Sequence, residues 1–234
     1  MRKPGLLLMT GLAVLAAGLV RAAPAGESES QKRQQFMKAY NSLNKDERKS
    51  AVQSLGGCSE RATLEMLVKV VATEKEKDVR LAAYEVLAAR PEDDPSASTM
   101  LVQCFRAEND VETKHEMVRA MQNRKFKFEI VSELIGFLAT KCAYPDIPET
   151  VSQYSATGNT PQRYAKQMAA RGQFHNVVLT INALTAQSFT SGKKTVEEVR
   201  AWWAAHGAEF QKADRDLQKQ LRDEAAAKKA GATP

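Results

Sequence analysis

The stretch Asp78-Val79-Arg80-Leu81-Ala82-Ala83-Tyr84-Glu85-Val86-Leu87 decides how the chain folds. An acid, one residue, a base, then apolar residues three and seven further on place Ala83 and Leu87 on one stripe of a short helix. The acid stands at the helix start, where the macrodipole favours it. The same figure precedes it as Asp46-Glu47-Arg48 with Ala51 and Leu55, every member displaced by 32 residues. It follows as Glu112-Thr113-Lys114 with Met117 and Met121, displaced by 34. Asp78 and Asp110 are also suited to cap their helices.

A second figure interleaves with the first, with apolar residues at i, i+3, i+4 and i+7. It runs Phe36-Ala39-Tyr40-Leu43, Leu64-Leu67-Val68-Val71, Ser98-Leu101-Val102-Phe105 and Val131-Leu134-Ile135-Leu138, Ser98 being its weakest member. The steps are 28, 34 and 33 residues. That spacing predicts a second set of helices of three to four turns. Short helices alternating with a period near 33 mark a helical solenoid, in which stacking on neighbours completes the core. Composition agrees, since only 12 Gly and 8 Pro interrupt a chain rich in Ala, Leu, Glu, Lys, Gln and Arg.

The Asp, the Val-Arg pair, the Ala and the Leu of residues 78–87 resemble the second helix of a HEAT-like repeat. The resemblance covers residues 31–140 and extends more weakly to 190. It implies an all-α fold, a short α-α solenoid of the HEAT/armadillo kind. It also implies that Arg48 and Arg80, and more weakly Lys114, pair with acids of the adjacent repeat and order the stack, and Asp46 and Asp78 are further structural residues of the motif. Asn182-Ala183-Leu184-Thr185-Ala186-Gln187-Ser188-Phe189, followed by Trp202-Trp203, resembles the closing segment of exported bacterial HEAT-repeat proteins. There a Gly usually stands where this chain has Ala186. The Trp pair implies a C-terminal helix that caps the last repeat.

The chain opens on a targeting pattern. Arg2 and Lys3 precede an apolar run from Gly5 to Val20, and Val20-Arg21-Ala22 offers small residues for cleavage. Residues 1–22 are therefore read as a signal peptide, and a membrane span, which needs about 18–20 apolar residues, is the competing reading. Export predicts a periplasmic or secreted protein with no stable membrane insertion after cleavage. Residues 23–30 are expected to form a flexible tether, 31–190 the repeat domain, 191–229 capping and charged helices, and 230–234 a disordered tail.

Arg2, Lys3 and Arg21 lie in the leader, so 31 of the 34 Lys and Arg remain against 28 Asp and Glu. A spread charge near +3 is an ordinary surface, which argues against nucleic acid as a partner. Cys58, Cys104 and Cys142 leave at least one thiol unpaired within the chain. One bridge is open to them after export, and Cys104 reads as a small core residue.

Beyond residue 142 the pattern changes. Residues 143–160 read as an irregular loop holding Pro145, Pro148, Gly158 and Asn159, with Tyr144 and Tyr154 as aromatic members. Thr160-Pro161 then predicts a helix start, Gly172 a stop, and Val177-Ile181-Leu184 a further helix. Thr195 with Glu198 reads as a capping box. Phe210, Ala213, Leu217, Leu221 and Ala225 make a stripe too short for an independent coiled coil.

No GxSxG, GxGxxG, Walker A or HExxH pattern occurs. His115, His175 and His206 stand far apart, and Glu112, His115 and Glu116 supply too few ligands on one turn for a closed metal site. Gly56-Gly57-Cys58-Ser59 is the nearest match to a phosphate cradle, but Glu60 opposes an anion there. The sequence thus calls for no catalytic residue, metal or cofactor. It points to a binding module for an unidentified protein, with Lys49, Gln53, Glu85, His115 and Arg119 as the candidate face. The competing reading is a ligand-binding or lyase-like helical protein with its site near the loop 143–160.

Overall fold

The computed structural model describes residues 27–142, 144–145 and 161–231. The expected leader and the loop from 146 to 160, with Tyr154 and Thr160, lie outside the described residues. Among the described residues there are nine α-helices and no strand. They are α1 (Glu29–Tyr40), α2 (Lys45–Ser54), α3 (Arg61–Thr73), α4 (Lys77–Ala88), α5 (Pro95–Ala107), α6 (Val111–Val118), α7 (Phe128–Lys141), α8 (Pro161–Thr185) and α9 (Thr195–Gly231). A single 3-10 turn, Arg119–Met121, prolongs α6. No described helix is long and apolar enough to cross a membrane.

The helices stack as two layers. In the first, α3 packs on α5, α5 on α7 and α7 on α9. Contacts of Glu29, Arg33 and Tyr40 with residues at either end of α3 set α1 at its head. In the second, α2 packs on α4, α4 on α6 and α6 on α8. Pairs such as α1 with α2, α3 with α4 and α7 with α8 bridge the layers. Helix α8 thus fills the second-layer place of the fourth unit, although it lacks the acid-x-base start. Helix α9 begins a fifth unit in the first layer.

The core between the layers is made of the two interleaved stripes. Leu64, Leu67, Val71, Leu101, Val102, Phe105, Val131, Leu134 and Leu138 are buried from one set, and Ala51, Leu55, Ala83, Leu87, Met117 and Met121 from the other. Ser98 is buried too, its hydroxyl donating to the Asp94 carbonyl at 3.1 Å. The first copy departs from the figure. Helix α1 ends at Tyr40, so Leu43 falls in the turn and is fully exposed, and Ala39 is exposed as well. Among the described residues no earlier helix covers that side, so a polar helix suffices there.

Several local expectations give way to packing. Glu29 and Ser30 belong to α1, with Ser28 and Gln31 forming a capping box, so the tether does not reach residue 30. Glu76, not Asp78, is the N-cap of α4, and Asp78 lies in its first turn. Asp110 does cap α6, accepting from the Thr113 amide at 2.7 Å. Gly172 does not stop a helix, because α8 runs through it unbroken. Its second half is pinned by buried Phe174, Val177, Val178, Ile181 and Leu184, which outweigh the helix cost of one Gly, about 1 kcal/mol. Thr195 is the first residue of α9, and its hydroxyl bonds back to Gly192 and Thr190 instead of forming a box with Glu198. Residues 195–231 form one helix of 37 residues, so Ala230 and Gly231 are helical and not part of a tail.

The Trp pair does close the end of the array. Trp203 stacks on Phe128 of α7 with ring centroids 5.7 Å apart. Gly207 lets that ring lie flat on the helix, since a Cβ there would sit 3.2 Å from the indole. Trp202 packs on His206 at 4.7 Å and on Phe189 at 5.8 Å. Further along, Asp214 accepts from the amides of Lys127 at 3.0 Å and Phe128 at 2.9 Å, supplying the carboxylate cap that α7 lacks in its own sequence.

The loop entering α9 keeps the turn that usually needs Gly. Ala186 holds φ 55°, and the Asn182 side chain clamps the loop through the carbonyl and amide of Phe189 at 2.9 and 3.0 Å. The left-handed conformation costs a Cβ residue about 1–2 kcal/mol, partly offset in Gly by its greater unfolded-state freedom. Ala186→Gly is therefore expected to stabilise the protein by about 0.5–1 kcal/mol. Denaturant unfolding checks this, and an unchanged or lower midpoint would show that the turn is unstrained.

Candidate functional site

The motif arginines cross from one unit to the next. Arg48 of α2 donates to both carboxylate oxygens of Glu74, Nε to Oε2 at 2.9 Å and Nη2 to Oε1 at 3.1 Å. Its Nη1 donates to the carbonyls of Ser42 and Leu43. Arg80 of α4 repeats the arrangement one unit on, with Glu108 at 2.6 and 3.3 Å and the carbonyls of Glu74 and Lys75. Both acids are C-caps of first-layer helices, and each also accepts from backbone amides just beyond it. All four side chains are largely buried. A paired and fully bonded guanidinium fixes geometry more than it adds net stability. The partners, Glu74 and Glu108, are acids of the adjacent unit in each case. The motif's Asp78 meets Lys45 on the surface at 3.6 Å.

The ladder stops at the third copy. Among the described residues no carboxylate lies within ion-pair distance of Lys114. Its ammonium rests over Phe105 at 4.8 Å and Phe137 at 5.8 Å, and burial lowers its pKa against the pull of Glu133 and Glu108. The position that would carry the next acid is Cys142, one step of 34 beyond Glu108.

A second ladder runs along the opposite ends of the helices. Arg90 donates through Nη1 to the Cys58 carbonyl at 2.9 Å, and Arg124, 34 residues later, donates likewise to the Arg90 carbonyl at 2.9 Å. Arg124 is 2% exposed and also bonds Ser98 and the Asp94 carbonyl. The recurrence of Arg at 90 and 124, and of Glu at 74 and 108, was the available signal for these four residues.

The two ladders align the second-layer helices so that equivalent residues form rows. Gln53, Glu85 and Arg119 occupy one position in three successive units and are all exposed. Lys49, Leu81 and His115 form the adjacent row, half-buried throughout. The structure thus brings the expected face together but draws His115 inward. Its ring lies 5.1 Å from Phe137, Nε2 is 3.7 Å from the Cys142 sulfur, and Nδ1 is buried with no partner among the described residues. Burial lowers its pKa, opposed by Glu112.

Other candidate chemistry is taken up by the fold. The amides of Ser59 and Glu60, next to the expected phosphate cradle, are bonded by the Glu29 carboxylate at 2.6 and 2.8 Å. Gly57, at φ 78°, makes the turn. Cys58, Cys104 and Cys142 are free and buried, with the Cys104 and Cys142 thiols pushed up to about 12 by burial. Among the described residues no three His, Cys, Asp or Glu side chains are grouped to hold a metal ion. Tyr144, at the edge of the expected loop site, packs edge-on against Phe174 at 5.2 Å. An open cleft of about 320 Å³ lies between α9 and the starts of α5 and α7, walled by Pro95, Phe126, Phe128 and Ile130 on one side and Gln211, Arg215 and Gln218 on the other.

Residues 34–138 match the HEAT repeats family. The matched segment spans α2 to α6 with most of α1 and α7, where the helices stack in pairs as such repeats do. No solved structure matches the chain significantly.

Glu74 carries the sharpest electrostatic consequence of the ladder. Burial would raise its carboxyl, but Arg48, the Glu76 amide and Tyr40 outweigh it and hold the pKa down to about 2, against an ordinary 4.5. A depressed carboxyl contributes stability that is present above the unfolded pKa and lost as pH falls through the folded one. Thermal stability is therefore expected to fall between pH 4.5 and 2. Glu74→Gln should lower Tm at pH 7 and flatten that acid limb. Parallel limbs in wild type and variant would rule out this pair as the source.

Proposed function

We propose that the protein is an exported scaffold that binds another protein through its HEAT-repeat array. The observation that carries this reading is the exposed row of Gln53, Glu85 and Arg119 on helices whose register is fixed by buried guanidinium groups. A HEAT-repeat domain generally serves to bring proteins together, and a rigid array presents contacts without the ordering cost a flexible surface would incur. Neighbouring positions in the row differ in charge, which suits selection of a partner more than tight generic attraction.

Export is supported by the basic, apolar and small-residue sequence of residues 1–22. The protein then works in the periplasm or outside the cell, as a bacterial secreted protein would, and acts by binding and not by catalysis. Intact mass of the protein recovered from outside the cytoplasm should correspond to a chain beginning at Ala23. Recovery of the full-length chain in the cytoplasmic fraction would sink the export reading.

The binding reading is tested by reversing two charges of the row. Glu85→Arg with Arg119→Glu should leave Tm within about 1 °C, because exposed substitutions change stability little. Capture of the native partner should fall at least about tenfold, the scale of 1.4 kcal/mol. Undiminished capture would mean that this row is not the interface.

A further inference from the structure

Helix α8 and the loop after it differ in charge from the rest of the molecule. Between Glu149 and Glu197 the sequence has no Asp or Glu, yet it holds Arg163, Lys166, Arg171, Lys193 and Lys194. The remainder of the chain after the leader carries 26 Lys and Arg against 28 Asp and Glu, so the positive balance of the protein resides in this one block.

The same block bears an apolar stripe that the fold leaves open. Met168 and Leu179 are 42% and 46% exposed. They are eleven residues apart, three helical turns, and so lie on one side of α8. Gly172 lies between them, and a Cβ added there would meet nothing within 4 Å. Phe174, Val177, Val178, Ile181 and Leu184 occupy the opposite side and are buried against the array. Arg171 and His175 border the stripe. Arg171 also lies 5.4 Å from the Tyr144 ring, and His175 Nδ1 meets the Ser191 hydroxyl at 2.8 Å, which holds the loop carrying exposed Lys194 beside the helix. The other large exposed apolar residues, Met37, Leu43 and Val111, sit singly on separate elements.

We propose that this outward face of α8 docks an acidic amphipathic helix of a partner protein. Its apolar stripe covers Met168, Gly172 and Leu179, and its carboxylates face Arg171, His175 and Lys194. The inference rests on the scaffold reading and adds the chemistry of the partner and a second place of contact. Three observations favour such an occupant. A basic margin drawn from a stretch of sequence, residues 150–196, without Asp or Glu selects negative charge. A flat apolar stripe with a notch at Gly172 lets a helix axis approach to the usual packing distance of about 8–10 Å. Each earlier helix of the second layer is covered by a following helix of that layer, and no described helix follows α8 there. A membrane surface fits less well, because the exposed large apolar residues of α8 are only two, Met168 and Leu179, with no aromatic among them.

The test uses the full-length processed protein and a labelled helical peptide with Leu at i, i+3, i+4 and i+7 and Glu on the flanks. A twin peptide with Lys in place of Glu and vesicles containing anionic lipid serve as the other arms. The acidic peptide should bind, and its affinity should fall severalfold as salt is raised from low to physiological strength. Leu179→Glu, and separately Arg171→Glu with Lys194→Glu, should each weaken it at least about tenfold, with Tm unchanged as the control for folding. Equal binding of both peptides, binding indifferent to Leu179→Glu, no peptide binding, or binding of anionic vesicles alone would each overturn the proposal. If the Glu85 and Arg119 reversals release the native partner while the acidic peptide does not bind, this proposal falls and the scaffold reading stands.

Discussion

Each pair of helices in this array has two apolar flanks, and its own pair can cover only one. Leu67, Leu101 and Leu134 are fully buried because the neighbouring unit supplies the second wall. The hydrophobic contacts alone would tolerate sliding, since they are not directional. The bidentate pairs Arg48–Glu74 and Arg80–Glu108 are directional, and each guanidinium also ties down two carbonyls of the turn beneath it. Displacement of one unit would leave a buried charge unpaired, a penalty of about 3–5 kcal/mol. Register, and with it the row of exposed residues that a partner can meet, follows from that constraint.

The two ends of the array are finished differently. At the first, α1 carries mostly polar residues and buries only Phe36 among its side chains, so little apolar surface is left facing outward. At the other end, α9 brings Trp203 onto Phe128 and Asp214 onto the start of α7. Two first-layer helices, α3 and α7, are capped by carboxylates from other elements, Glu29 and Asp214. A cap supplied by another element welds that element to the helix it caps. The same device therefore fastens both terminal helices to the interior of the array.

Much of this was legible in the residue pattern because repetition multiplies a weak signal. One acid-x-base figure says little, but three copies displaced by 32 and 34 residues define both the helix and the unit. The arginines were legible for the same reason. Their partners were not, because Glu74 and Glu108 lie 26 and 28 residues away and meet the guanidinium groups only after stacking. The pattern failed where local preference opposed long-range packing, at Gly172 inside α8, at Thr195 and at Leu43. In the candidate face, His115 obeyed the period but not the expected exposure, since Phe137 and Cys142 of the next unit draw its ring inward.

By itself the sequence determined that the chain forms short amphipathic helices in pairs, how long each unit is, and that residues 150–196 carry positive charge without any acid. These are properties of spacing and composition, which any conformation of the chain retains. Only the tertiary structure decided which acid each arginine meets, which carboxylate caps α3 and α7, and which members of a row face water. Those outcomes depend on side chains from different units converging at hydrogen-bond distance. Helical periodicity specifies the face of one helix but not the neighbour that the face will find.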